Sequence, residues 1–97
     1  MVTHEEILNL GFIEVPEWDT DITAAYKYVV NRYDKPRNTI NLYRLDRLID
    51  TDYMELVSSL QRETDFYMRL MSFNGELSTI EELFDLFEMF RENARKI

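Results

Sequence analysis

Residues 24–30 read Ala24-Ala25-Tyr26-Lys27-Tyr28-Val29-Val30, and this stretch decides the fold class. Successive side chains of a strand point to opposite faces. Ala24, Tyr26, Tyr28 and Val30 therefore share one face, and Ala25, Lys27, Val29 and Asn31 the other. Tyrosine and valine suit a pleated, half-buried surface. Tyr33 to Asn38 follows with Asp34, Pro36 and Asn38, residues that favour chain reversal. Beyond it Ile40 and Leu42 alternate with Asn41, Tyr43 and Leu45, which predicts a hairpin.

Residues 50–61 fit two templates. Tyr53, Leu56, Val57 and Leu60 match a helical stripe, while Met54, Leu56 and Leu60 match alternation, with Ser58 as an exception. The reading inclines to a strand, because Arg62 to Asp65 has the composition of a hairpin loop. In the next segment Phe66, Met68, Leu70 and Ser72 alternate with Tyr67, Arg69, Met71 and Phe73, and Asn74-Gly75 is expected to end the strand.

Both ends of the chain read as helices. Thr3 with Glu6 is a capping-box pair, and Gly11 offers a left-handed stop, so a helix is expected at 3–10. Residues 12–23, with Pro16 inside, read as a loop that could begin with a short edge strand, and Trp18 is expected to pack onto the core as a lid. At the far end Ser78 with Glu81 and Thr79 with Glu82 make two overlapping capping boxes. Ile80, Leu83, Phe84, Leu86, Phe87, Phe90, Ala94 and Ile97 fall within an arc of about 160° at the helical repeat. Arg91 projects into that arc, so either its stem snorkels or the last turn leaves the core.

The expected architecture is α+β: helix, three- or four-stranded antiparallel sheet, C-terminal helix. With both helices covering one face it is a two-layer sandwich. The 97 residues suit a single domain over 1–97.

Composition narrows the function classes. With no cysteine, disulfides, thiolate metal sites and a cysteine nucleophile are excluded. That absence, a start lacking the pattern of a signal peptide, and the lack of a long apolar run give a cytoplasmic expectation with no membrane association. Two glycines cannot build a phosphate-cradling loop. His4 has no activating partner in sequence, and Ser58 and Ser59 have no nearby histidine. Asp19-Thr20-Asp21 and Asp50-Thr51-Asp52 have D-x-D spacing but neither continues into a calcium loop. The chain reads as a protein without enzymatic activity, cofactor or metal.

Net charge is −8, and it is segregated. Residues 1–26 hold six acids and no Lys or Arg, residues 27–47 hold six bases against two acids, and residues 76–88 hold five acids and no base. The basic stretch, interleaved with Tyr26, Tyr28, Tyr33 and Tyr43, has the look of a strand pair for single-stranded nucleic acid, but the overall charge argues against direct nucleic-acid binding. Glu81, Glu82, Asp85, Glu88 and Glu92 lie on the outward side of the last helix with Met89 among them. These six residues are the candidate partner-binding site, with the free sheet face as the other contact surface.

The segment Phe73-Asn74-Gly75-Glu76-Leu77-Ser78-Thr79-Ile80-Glu81-Glu82-Leu83 resembles the strand–turn–capped-helix ending of small phage and mobile-element proteins. Leu10-Gly11-Phe12 resembles the end of their first helix. The resemblance covers about a quarter of the chain and implies a host-cytoplasmic accessory protein. It carries over no functional residue. The expected function is a small protein-binding or accessory module, its partner a second protein or a second copy. The alternative is an acidic mimic of nucleic acid that inhibits a host nucleic-acid enzyme.

Overall fold

The computed structural model describes residues 1–32, 38–62 and 65–97. The chain is α+β: helix α1 (His4–Asn9), strand β1 (Ile13–Glu14), a 3-10 turn (Pro16–Trp18), β2 (Thr23–Arg32), β3 (Thr39–Leu48), β4 (Tyr53–Arg62), β5 (Phe66–Glu76) and helix α2 (Ile80–Arg95). The strands form one antiparallel sheet in the order β1-β2-β3-β4-β5. The count is five, not three or four. The added strand, β1, is two residues long, too short to leave an alternation in sequence.

Register explains the core. Glu14, Tyr26, Leu45, Leu56 and Phe73 lie in one cross-strand row. Tyr28, Tyr43, Ser58 and Met71 form the next row. These side chains share the face that receives Ile7 from α1 and Leu83, Phe87 and Phe90 from α2. Phe87 is the central contact, with ring centroids 4.9 Å from Phe12, 5.0 Å from Tyr28 and 5.0 Å from Tyr43. Tilted and edge-on aromatic packing of this kind stabilises beyond the area it buries.

Residues 53–62 are a strand, as the alternation suggested. Its turn from β3 holds Asp50 at φ 63°, a conformation that aspartate tolerates better than most residues. In β5 the sequence reading needs two corrections. The strand runs through Asn74-Gly75 to Glu76, because Gly75 pairs with Met54 and stays in the ladder. The period-two pattern also breaks. Ser58 pairs with Met71 but Ser59 pairs with Arg69, so Leu70 is an extra residue in the ladder. This bulge puts Met71 and Met68 on the same face, an arrangement strict alternation excludes. The 33–38 turn and the 62–65 loop fall largely outside the described residues.

The first helix start is built as its sequence directs, and the second only in part. The Thr3–Glu6 capping box is reciprocal, with Glu6 N–H donating to Thr3 Oγ1 at 3.1 Å and Thr3 N–H donating to Glu6 Oε1 at 2.8 Å. Gly11 follows at φ 107°. For α2 only Thr79 is the cap, accepting from Glu82 N–H at 3.2 Å. Ser78 lies outside the helix, and the Glu82 carboxylate bonds the Thr79 hydroxyl at 3.4 Å instead of its backbone, so the second box is half made.

Trp18 corrects another expectation. It covers the sheet face opposite the helices, lying under the Arg44 guanidinium at 4.6 Å from the ring centroid. Arg44 alternates with the core residues Tyr43 and Leu45, so its side chain leaves the sheet on the outer side. The residue of this segment that enters the core is Phe12; Val15 is buried outside that cluster.

Candidate functional site

Helix α2 buries a narrow stripe. Leu83, Phe87, Phe90 and Ala94 are buried. Phe84 and Ile97, counted in the apolar arc from sequence, are instead 46% and 51% exposed. The four buried positions span only about 60° of helical azimuth, and Phe84 lies roughly 90° from their centre. Ile80 and Leu86 flank this stripe as partly buried residues packed on the core, and Phe84 falls beyond them. Arg91 resolves its own ambiguity by snorkelling. Its guanidinium passes 5.6 Å from the Tyr28 centroid and 5.4 Å from that of Phe87, then bonds Glu88 at 3.0 Å.

The six candidate residues share the outward side of α2 but differ in what they hold. Glu82 is engaged with the Thr79 cap. Glu88 pairs with Arg91 and Glu92 with Arg95 at 2.8 Å. Glu81 and Asp85 have no ion-pair or hydrogen-bond partner through their carboxylates among the described residues. Met89 is 59% exposed. The result is an acidic ridge with an apolar side chain on each shoulder, Phe84 on one and Met89 on the other. Phe84 is the residue that sequence reading missed for this surface. Its place at the edge of the apolar arc was the available signal.

The outer sheet face is mixed. Lys27, Arg44, Asp46 and Glu55 alternate there with Val29, Leu42 and Val57. Arg44 and Asp46 neutralise each other at 3.0 Å. A cleft of about 320 Å³ runs along this face, between Trp18 and residues that include Arg44, Tyr53 and Glu55. The basic stretch 27–47 does not form one patch. Lys27 and Arg44 leave on this face, while Arg47 turns inward and donates to the Val2 carbonyl at 2.5 Å. Lys35 and Arg37 lie outside the described residues.

The remaining chemistry-bearing residues serve the fold. His4 is half-buried, not freely exposed. Its Nδ1 is 2.8 Å from the Tyr26 hydroxyl, and its Nε2 lies 3.8 Å from Glu14. Asp19 accepts from the Ala25 N–H at 2.6 Å, fixing the 3-10 turn against β2. Among the described residues no three His, Cys, Asp or Glu side chains gather where they could hold a metal, and no helix is long and apolar enough to cross a membrane.

Two buried phenols carry a pH dependence. Burial pushes the Tyr26 hydroxyl above its ordinary value of 10.0; Arg47 pulls against this, while Glu14, Asp19 and Glu5 add to it. Burial raises Tyr43 likewise, against Arg91 and Arg95. A phenol whose folded pKa is raised contributes stability that is fully present below pH 10 and is lost as pH climbs through the folded value. The urea midpoint is therefore expected to hold steady towards pH 10 and fall above it. An ultraviolet absorbance titration should show two tyrosines ionising late. A midpoint flat through that range would contradict the burial of these phenols.

No family model, curated protein or solved structure matches this chain.

Proposed function

We propose that the chain is a non-enzymatic accessory module that binds a protein partner through the outward face of α2. This is the role implied by its resemblance to small phage and mobile-element proteins. The observation that supports it is the exposure of Phe84 and Met89 beside the unpaired carboxylates of Glu81 and Asp85. Large apolar side chains with an acidic rim suit a partner that offers an apolar socket edged by Lys or Arg. Mimicry of nucleic acid draws less support. A phosphate-like stripe needs uncompensated charge along its length, and Arg91 and Arg95 answer two of its carboxylates.

The two readings separate in a pull-down at low and high salt, comparing the native chain with Met89→Lys and with the double variant Glu81→Gln/Asp85→Asn. The apolar reading predicts that capture survives salt, is lost in Met89→Lys and weakens about tenfold or less in the double variant. Capture that disappears with salt and with the double variant, yet ignores Met89→Lys, favours mimicry and refutes the apolar contact.

A further inference from the structure

A second site lies at the other end of α2. Where β2 and β3 run beside the last turn of the helix, a cleft of about 250 Å³ opens. Three guanidiniums line it: Arg32 from β2, and Arg91 and Arg95 from α2. Its floor is polar. Asn41 and Tyr43 occupy inward positions of β3 and are 3% and 2% exposed. Asn41 spends its amide on the sheet, donating to Ser58 Oγ at 3.2 Å and to the Ser59 carbonyl at 2.9 Å. The Tyr43 hydroxyl makes no hydrogen bond to any described residue. Val30 and Ala94 supply an apolar wall.

The Tyr43 ring is buried, but its hydroxyl is not sealed from solvent and borders the cleft, so it can donate to a group bound there. Three guanidiniums gather around it, Arg91 paired with Glu88, Arg95 with Glu92, and Arg32 donating to the Ile97 carbonyl at 2.8 Å. In a chain of net charge −8, this cleft nonetheless brings three cations together. A hydroxyl donor and three guanidiniums on one cleft suit a single kind of ligand. We propose that this cleft binds a phosphate-type oxyanion, with donors from the Tyr43 hydroxyl and the guanidiniums of Arg91 and Arg95, and a third positive charge from Arg32.

The geometry suits that chemistry. Each guanidinium carries five N–H donors. Arg91 uses one on Glu88 and Arg95 one on Glu92. These are (i, i+3) pairs near solvent, and such pairs are weak, so a dianion can replace the carboxylates or share the forks with them. Arginine matches phosphate through paired N–H groups better than a point charge does. Burial, the main cause of the raised Tyr43 pKa, keeps the phenol protonated at neutral pH, so it can donate. The volume is below the usual range for drug-sized ligands, about 300–1,000 Å³. The cleft therefore takes the phosphate and a short attached group resting on Val30 and Ala94. The carbonyl end of α2 competes for the same cations, so the expected Kd is on the order of 1 mM.

The test uses the full chain, with inorganic phosphate and, separately, phosphoserine and a nucleoside monophosphate, each against chloride at equal ionic strength. Ligand that binds the folded state raises the melting temperature, and an NMR titration should show saturable shifts at Tyr43 and Arg91. Tyr43→Phe is the decisive variant. It should melt no lower than the native chain yet bind about fivefold more weakly or worse; Arg95→Gln should also weaken binding while leaving the fold intact. A monoester that binds more tightly than phosphate identifies a phosphorylated small molecule as the ligand. Equal affinity identifies the free oxyanion. The proposal is overturned by the absence of any saturable response beyond chloride, or by a response that survives whole in both variants.

Discussion

Replacing Phe87 with alanine is expected to lower stability by about 3–5 kcal/mol, the range for removing a large buried aromatic side chain. Phe87 is 1% exposed and touches the rings of Phe12, Tyr28 and Tyr43. It thus joins α2 to the segment after α1 and to two central strands. The rings lining that space pack on one another through Phe12–Tyr28 and Tyr28–Tyr43 contacts, so partial collapse is expected to leave a cavity. A chain of 97 residues has total stability of roughly 5–15 kcal/mol, so the loss is a large share of it. With about 4–8 °C per kcal/mol at this size, melting should fall by tens of degrees. Phe84→Ala, three residues away on the exposed shoulder, is the internal control and should cost less than about 1 kcal/mol. Equal effects from the two substitutions, measured by urea denaturation, would mean that α2 is rotated from the orientation described.

The second large effect is expected at Gly11. Its φ of 107° lies where side chains with a Cβ are strained. A Cβ built there would also stand 2.8 Å from Cε2 of Tyr28. That ring cannot swing away cheaply, since it packs on Phe12, Tyr43 and Phe87. Gly11→Ala should therefore cost about 1–3 kcal/mol from the backbone alone, and the clash adds to it. The consequence is local as well as global. Gly11 ends α1 and turns the chain so that Phe12 enters the core and Ile13 starts β1. Hydrogen exchange should accordingly speed up first in α1 and at the β1–β2 pairing. A melting temperature unchanged by Gly11→Ala would show that the turn adopts another conformation.

These two residues also show what could be read from sequence. Gly11 is recognisable because a capped amphipathic turn precedes it, and the Tyr26/Tyr28 alternation sorts the residues of β2 onto its two faces. Both are local signals, set by backbone sterics and the period of the strand. The parts that escaped depend on partners distant in sequence. Leu70 becomes a bulge only because β4 pairs on either side of it. Gly75 reads as a stop, yet the ladder with Met54 holds it in the strand. Phe84 has the right spacing for a core residue, yet it falls beyond Ile80 and Leu86, which flank the buried stripe. Trp18 was legible as a lid but not as a lid on the outer face, because nothing local says which side of the sheet a 3-10 turn will cross.

The candidate site was legible to a similar degree. Glu81, Asp85 and Met89 stand outward as helical spacing requires. Their neighbours Glu88 and Glu92 are answered by Arg91 and Arg95, pairs that spacing allowed but charge counting overlooked. The oxyanion cleft was not legible at all. Arg32 and Arg95 are 63 positions apart and meet only through the length of β2 and the direction of α2.

The most direct test of the central claim is photo-cross-linking in cells from a photoreactive side chain at position 89, with the same group at position 29 on the outer sheet face for comparison. The α2 surface predicts one dominant cross-linked protein from position 89, lost when Phe84 is changed to serine, and little from position 29. Cross-linking that arises from position 29 and not from position 89 would place the contact on the sheet and contradict the assignment to α2.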